Sequence, residues 1–140
     1  MKMSIYKALW LSVCTFVLSL QVARAEIYVI SHPDMDVPDA SVRDVFLGEQ
    51  SFVGSVKLVL FDNAAAQTEF LTLVLQMDAD KYSSVWTKKG FRDGVNAPTS
   101  KNTDFEVISA VRRTPGAIGY VTSLPNLPSA LNIRVVARYH

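Results

Sequence analysis

Apolar and polar positions follow two rhythms along the chain, one of period two and one near 3.6. Ile27-Tyr28-Val29-Ile30 is a short apolar run of β-branched and aromatic residues, as in a buried strand. Ser31-His32-Pro33-Asp34 breaks it. Pro38-Asp39 then opens a short helix, with Asp39 as the expected N-cap, Val42, Val45 and Phe46 on one face, and Gly48 as the stop. Val56–Phe61 reads as a second strand, apolar except for Lys57. From Ala64 to Met77 the spacing of Ala66, Phe70, Val74 and Met77 predicts a longer helix. Asp78–Lys89 predicts another, with Tyr82, Val85 and Trp86 on one side and Gly90 at its end. Gly94–Lys101 is polar and holds a proline, so it reads as loop. Thr103 with Glu106 three residues on forms a capping-box pattern, and Val107, Ile108 and Val111 make the buried stripe of the helix that follows. Pro115-Gly116 ends that helix. Ala117–Val121 is a third strand, Ser123–Ser129 a Pro/Ser/Asn loop, and Ile133–Tyr139 a last strand alternating between apolar and basic residues, as an edge strand does. Strands alternating with helices predict an α/β fold: a mixed, mostly parallel sheet flanked by helices.

Ahead of Glu26 the pattern changes character. Lys2 and Lys7 give a positive start, Ala8–Leu20 is an uncharged apolar run, and Val22-Ala23-Arg24-Ala25 places small residues at the two positions a signal peptidase reads. This order predicts a cleaved signal peptide over residues 1–25 and a single domain over 26–140, exported to the periplasm. The apolar run is shorter than the roughly 20 residues of a spanning helix, so no membrane span is expected after cleavage. Cys14 lies inside that run behind the bulky Val13, a poor position for a lipid-bearing cysteine.

Loss of the leader changes the charge. Lys2, Lys7 and Arg24 leave with it, so 11 of the 14 Lys/Arg remain against 13 Asp/Glu, a net of about −2. Such a balance argues against a nucleic-acid partner. Cys14 is the one cysteine, so the mature domain has neither a disulfide nor a thiolate. Enzyme signatures are missing too: there is no Gly-x-Ser-x-Gly elbow, no glycine-rich phosphate loop, and no histidine with a carboxylate orienter and a nucleophile. The expectation is a non-enzyme without catalytic residues or cofactor. His32-Pro33-Asp34-Met35-Asp36 lacks a second histidine at ligand spacing, so no metal is expected.

Three stretches carry a family resemblance. Ser41-Val42-Arg43-Asp44-Val45-Phe46-Leu47-Gly48 is a short helix ending in a Phe-x-Gly turn. Val56–Phe61 is a strand running into a helix at Ala64. Val111-Arg112-Arg113-Thr114-Pro115-Gly116-Ala117-Ile118-Gly119-Tyr120-Val121 is a helix closed by Thr-Pro-Gly-Ala-Ile-Gly-Tyr-Val. In these the chain resembles the phosphate-type substrate-binding proteins of ABC transporters, which have the type 2 periplasmic-binding-protein fold. Full members have two lobes and about twice this length, so the resemblance implies one lobe. It also implies a solute held at the strand-to-helix turn, and a membrane transporter as partner. In phosphate binders that turn carries an Arg and a Ser-Gly-Thr triplet. Here it reads Phe61-Asp62-Asn63-Ala64-Ala65-Ala66-Gln67-Thr68, with alanines in place of Ser and Gly and a carboxylate beside the anion position. Backbone N–H groups at the helix start remain as the expected donors.

Carboxyl ends of strands are where open α/β sheets hold ligands. The candidate ligand-binding residues are therefore Ser31 and His32 after the first strand, Asp62 and Asn63 after the second, and Ala65, Ala66 and Thr68 at the helix start. The plainer reading makes Asp62 and Asn63 a turn and helix cap, Tyr82 and Trp86 core, and Lys88-Lys89 and Arg112-Arg113 cations that offset helix dipoles. The expected function is a periplasmic solute-binding-like protein for a small molecule, with oxyanions among the candidates. The alternative is an envelope protein-interaction module that keeps the fold without the ligand.

Overall fold

Five strands assemble around three, Ile27–Ser31, Val59–Asn63 and Ala117–Val121, whose side chains are largely buried. In a computed structural model, residues 25–126 and 131–140 are described; the expected leader up to residue 24 and residues 127–130 of the late loop lie outside them. The strands are β1 (Ile27–Ser31), β4 (Val59–Asn63), β5 (Thr99–Lys101), β6 (Ala117–Val121) and β7 (Arg134–Tyr139), in the order β5-β4-β6-β1-β7. β4 runs parallel to β5 and β6, whereas β1 runs antiparallel to both β6 and β7. The sheet is thus mixed, with four strands pointing one way and β1 reversed between two of them. A separate hairpin pairs β2 (Phe52–Val53) with β3 (Val56–Lys57) across Gly54, which sits at φ 58°.

Helices cover both faces. α1 (Val42–Phe46), α2 (Gln67–Phe70, continuing as a π-turn over Leu71–Leu75) and α3 (Ala79–Asp93) pack on one face. Their core includes Val42, Phe46, Phe70, Leu75 and Trp86, set against Ile118 and Tyr120 of β6. α4 (Asp104–Arg113) packs on the other face, where Val107 and Val111 meet Phe61, Ala117 and Val121. The period-two alternation of a strand sends Ile118 and Tyr120 one way and Ala117 and Val121 the other. Between them Gly119 must stay small: a Cβ there would lie 2.8 Å from Val107 Cγ1.

Several expected boundaries move. The strand expected at Val56–Phe61 divides, because residues 56–57 pair in the hairpin and β4 begins at Val59. Asp39 does not cap α1; it opens a 3-10 turn over Asp39–Ser41 with no side-chain cap at all. The helix expected to Met77 ends earlier, because Gln76 turns left-handed at φ 54°. α3 runs through Gly90 to Asp93, since Gly94 at φ 69° supplies the left-handed C-cap. β5 lies in the expected loop; its Thr99-Ser100-Lys101 carries no apolar signal and is held by its pairing with Phe61, Asp62 and Asn63.

Other expectations hold. Thr103 Oγ1 accepts the Glu106 N–H at 3.2 Å, as the capping pattern predicts, while the Glu106 carboxylate accepts the N–H of Asn102 at 2.8 Å instead of that of the cap residue. β7 is an edge strand, and its Arg138 pairs with Glu26. At α3, Asp78 accepts the Lys81 N–H at 2.8 Å. Asp78→Ala is expected to cost about 1 kcal/mol, seen as a lower urea midpoint at unchanged slope.

Candidate functional site

Asp62 is the penultimate residue of β4, and alternation turns it towards the α1–α3 face. There it meets two hydroxyls. Tyr82, in the first turn of α3, donates to Asp62 at 2.9 Å from Oδ1 and 3.1 Å from Oδ2. Tyr120, on the neighbouring strand β6, donates to Oδ1 at 3.0 Å. The carboxyl is only 5% exposed. Burial is the main influence on its acidity and pushes its pKa up to about 6; the two hydroxyl bonds pull the other way. Burial, followed by the Asp62 charge, pushes both tyrosines well above their ordinary range.

Above Asp62 lies an open cleft of about 760 Å³. Gln67 of α2, the α3 residues Asp80, Tyr82, Trp86 and Phe91, and the loop Val95–Pro98 line it. The cleft therefore sits at the carboxyl end of β4, where a parallel sheet opens. Trp86 Nε1–H is used elsewhere, donating to the Phe46 carbonyl at 3.1 Å.

Asn63 does a different job. Its side chain donates to Asp104 Oδ1 at 2.8 Å and to the Tyr120 carbonyl at 3.1 Å, and its Oδ1 accepts the Ala65 N–H at 3.1 Å. Asp104 in turn accepts from the Thr122 hydroxyl at 2.6 Å and from the Thr122 and Ser123 N–H groups. This latch ties the ends of β4 and β6 to the start of α4. Asn63→Ala leaves the buried Tyr120 carbonyl without that donor and is expected to lower stability by about 1–2 kcal/mol, measured by thermal unfolding.

The seven expected site residues do not converge. Asp62 alone lines the cleft. Asn63 and Ala65 form the turn just described, Ala66 is fully buried in the core, and Thr68 is exposed on α2. Ser31 and His32 lie towards the opposite end of the sheet. Ser31 pairs with Ile118, which also pairs with Leu60, so the antiparallel β1 ends level with the beginning of β4. His32 donates its N–H to the Ala117 carbonyl, four residues of strand, or roughly 13 Å, from Asn63. Its Nδ1 accepts the Asp34 N–H at 3.3 Å.

Three of the expected anion donors are engaged. Ala64 N–H bonds to the Lys101 carbonyl at 2.8 Å, Ala66 N–H to the Asn63 carbonyl at 3.0 Å, and Ala65 N–H to the Asn63 side chain. No Lys, Arg or His lines the cleft. Among the described residues, no three His, Cys, Asp or Glu side chains gather in a metal-binding group, and no helix is long and apolar enough to cross a membrane.

Sequence reasoning placed Tyr82 and Trp86 in the core, where both are buried, but missed that both also border a cleft. The usable signal was the polar, proline-containing segment Gly94–Pro98 directly after α3, which stands off from the helix and leaves the gap. No protein-family model matches the chain, and no curated protein matches it.

Proposed function

We propose that the chain is a periplasmic solute-binding-like domain that holds a small molecule in the cleft above Asp62, in line with its resemblance to one lobe of a type 2 periplasmic binding protein. The observation that carries this reading is a buried carboxylate, oriented by two hydroxyls, at the base of an open cleft on the carboxyl end of a parallel strand. Binding rather than catalysis suits this arrangement: Asp62 has no cation or nucleophile among its hydrogen-bond partners. Phosphate has little support, because Asp62 and Asp80 border the cleft and, among the described residues, no Lys, Arg or His lines it. Calorimetric titration with phosphate and sulfate is expected to be flat at millimolar concentration. A metabolite panel is expected to give saturable heat that Phe91→Ala weakens. A panel with no saturable heat would remove this reading.

A second reading is an envelope protein-interaction module, and one feature favours it. Phe52 is 53% exposed on the β2–β3 hairpin, with Val56 and Val59 also exposed beside it. A pull-down from envelope extract that Phe52→Ser abolishes supports this reading, and one that returns the same proteins with Phe52→Ser counts against it.

A further inference from the structure

The charge in the cleft has a single sign. Asp62 and Asp80 are the charged residues that line it, and nothing basic opposes them. Nearby cations are committed elsewhere: Lys101 Nζ lies 5.7 Å from the centre of the Phe61 ring, and Lys89 Nζ faces Glu49 at 3.9 Å. Asp62 Oδ1 takes both tyrosine hydroxyls at 2.9 and 3.0 Å, whereas Oδ2 has only the longer contact to Tyr82 at 3.1 Å. Tyr82 and Tyr120 each have a single proton to give. Oδ2 therefore keeps acceptor capacity that no side chain fills.

Three aromatic residues share the remaining lining with small, apolar and neutral polar ones, among them Gln67, Ser83, Thr87 and Asn96. Tyr82, Trp86 and Phe91 border the same space, and Phe91 is 89% exposed at its rim. Carboxylates and aromatic rings in one lining favour one kind of guest. A carboxylate attracts a positive charge, and ring faces attract it again through their quadrupole, most strongly when the cation carries carbon rather than a full water shell. An oxyanion meets repulsion from both sources. A bare metal ion finds no third ligand, since no such group gathers among the described residues.

We propose that the cleft takes a small organic cation, a protonated amine or a quaternary ammonium, with its charge set against Asp62 Oδ2 and its carbon against Tyr82, Trp86 and Phe91. This rests on the solute-binding reading and names the ligand class within it. Asp80, exposed at the cleft edge, adds attraction at longer range.

Calorimetric titration of the protein with four probes tests this: choline, putrescine, the neutral carbon isostere dimethylbutanol, and inorganic phosphate. At least one ammonium probe is expected to saturate, choline at least about tenfold tighter than dimethylbutanol. Asp62→Asn is expected to weaken ammonium binding about tenfold or more at neutral pH, with its unfolding temperature no lower than that of the parent protein. Asp80→Asn, at an exposed position, is expected to weaken it a few-fold and flatten its salt dependence. Equal affinity for choline and dimethylbutanol, or saturation by phosphate alone, overturns the cation proposal and leaves solute binding standing. Silence from all four probes overturns the cation proposal, and solute binding falls with it only if the wider metabolite panel is silent too.

Discussion

Phe70→Ala is expected to remove about 3–5 kcal/mol of stability, the largest loss from any single truncation considered for this fold. Phe70 is fully buried. Its ring stacks on Tyr120 with centroids 3.8 Å apart and planes 6° from parallel, and it meets Phe46 edge-on at 4.8 Å. Phe46 and Tyr120 close the triangle at 5.7 Å. The three rings join α1, α2 and β6, so alanine opens a cavity that three separate elements would have to move to fill. Interior packing resists such movement, and lost aromatic pairing adds to the loss of buried area. A domain of this size has a total stability of about 5–15 kcal/mol, so about a fifth or more disappears. Phe70→Leu retains most of the volume and is expected to cost less than half as much. Denaturant midpoints decide it: near-equal values for the two variants would show that the ring cluster does not hold the fold as argued.

Asp62→Asn is expected to stabilise the protein near neutral pH and to do so less and less as the pH falls. The folded-state pKa of Asp62 is raised, from 3.8 to about 6. A raised carboxyl binds its proton more tightly in the folded state, so its favourable contribution is complete below about pH 4. That contribution fades as pH rises towards 6 and is gone above it. The difference amounts to up to roughly 3 kcal/mol. The amide cannot ionise, and its oxygen can still accept from Tyr82 and Tyr120, which both reach Oδ1 in the native carboxylate. Other carboxyls titrate in both proteins alike; Glu26, for example, is held low chiefly by its bond from Arg138. Subtracting the two stability curves therefore isolates Asp62. A gap that stays constant from pH 4 to pH 7.5 would rule out this account of its burial.

The two substitutions also separate shape from charge in the cleft. Phe70 supports the ring that carries the Tyr120 hydroxyl to Asp62, yet Phe70 does not itself line the cleft. Asp62→Asn leaves the rings in place and changes only what the cleft presents to a guest.

Local chemistry was readable from the sequence, and direction was not. Thr103 capping α4 at Glu106, the Pro115-Gly116 stop and the edge character of β7 all follow from short-range rules and all appear where expected. An apolar run such as Ile27–Ile30 announces a strand but not which way it points. Once β1 is antiparallel, its carboxyl end belongs to the other end of the sheet, and Ser31 and His32 leave the site with it. β5 was missed for a related reason. Thr99–Lys101 is polar, and its strand character comes from the β4 backbone alongside, which no local pattern encodes. Asp62 stood out as a candidate because it closes an apolar run in the sequence. Its two partners did not, because Tyr82 lies twenty residues further on and Tyr120 fifty-eight.

The reversed strand β1 also sets the order in which the molecule can be completed. Tyr28 pairs with Val121 on one side, and Ile27 pairs with Tyr139 on the other. A chain growing from its N-terminus makes β1 early and then lacks both neighbours until β6 and β7 have been synthesised. During that interval the backbone of β1 has no strand to pair with on either side, and the sheet cannot lock. Closing contacts so distant in sequence is slow, and here the closure waits for the last strand to arrive.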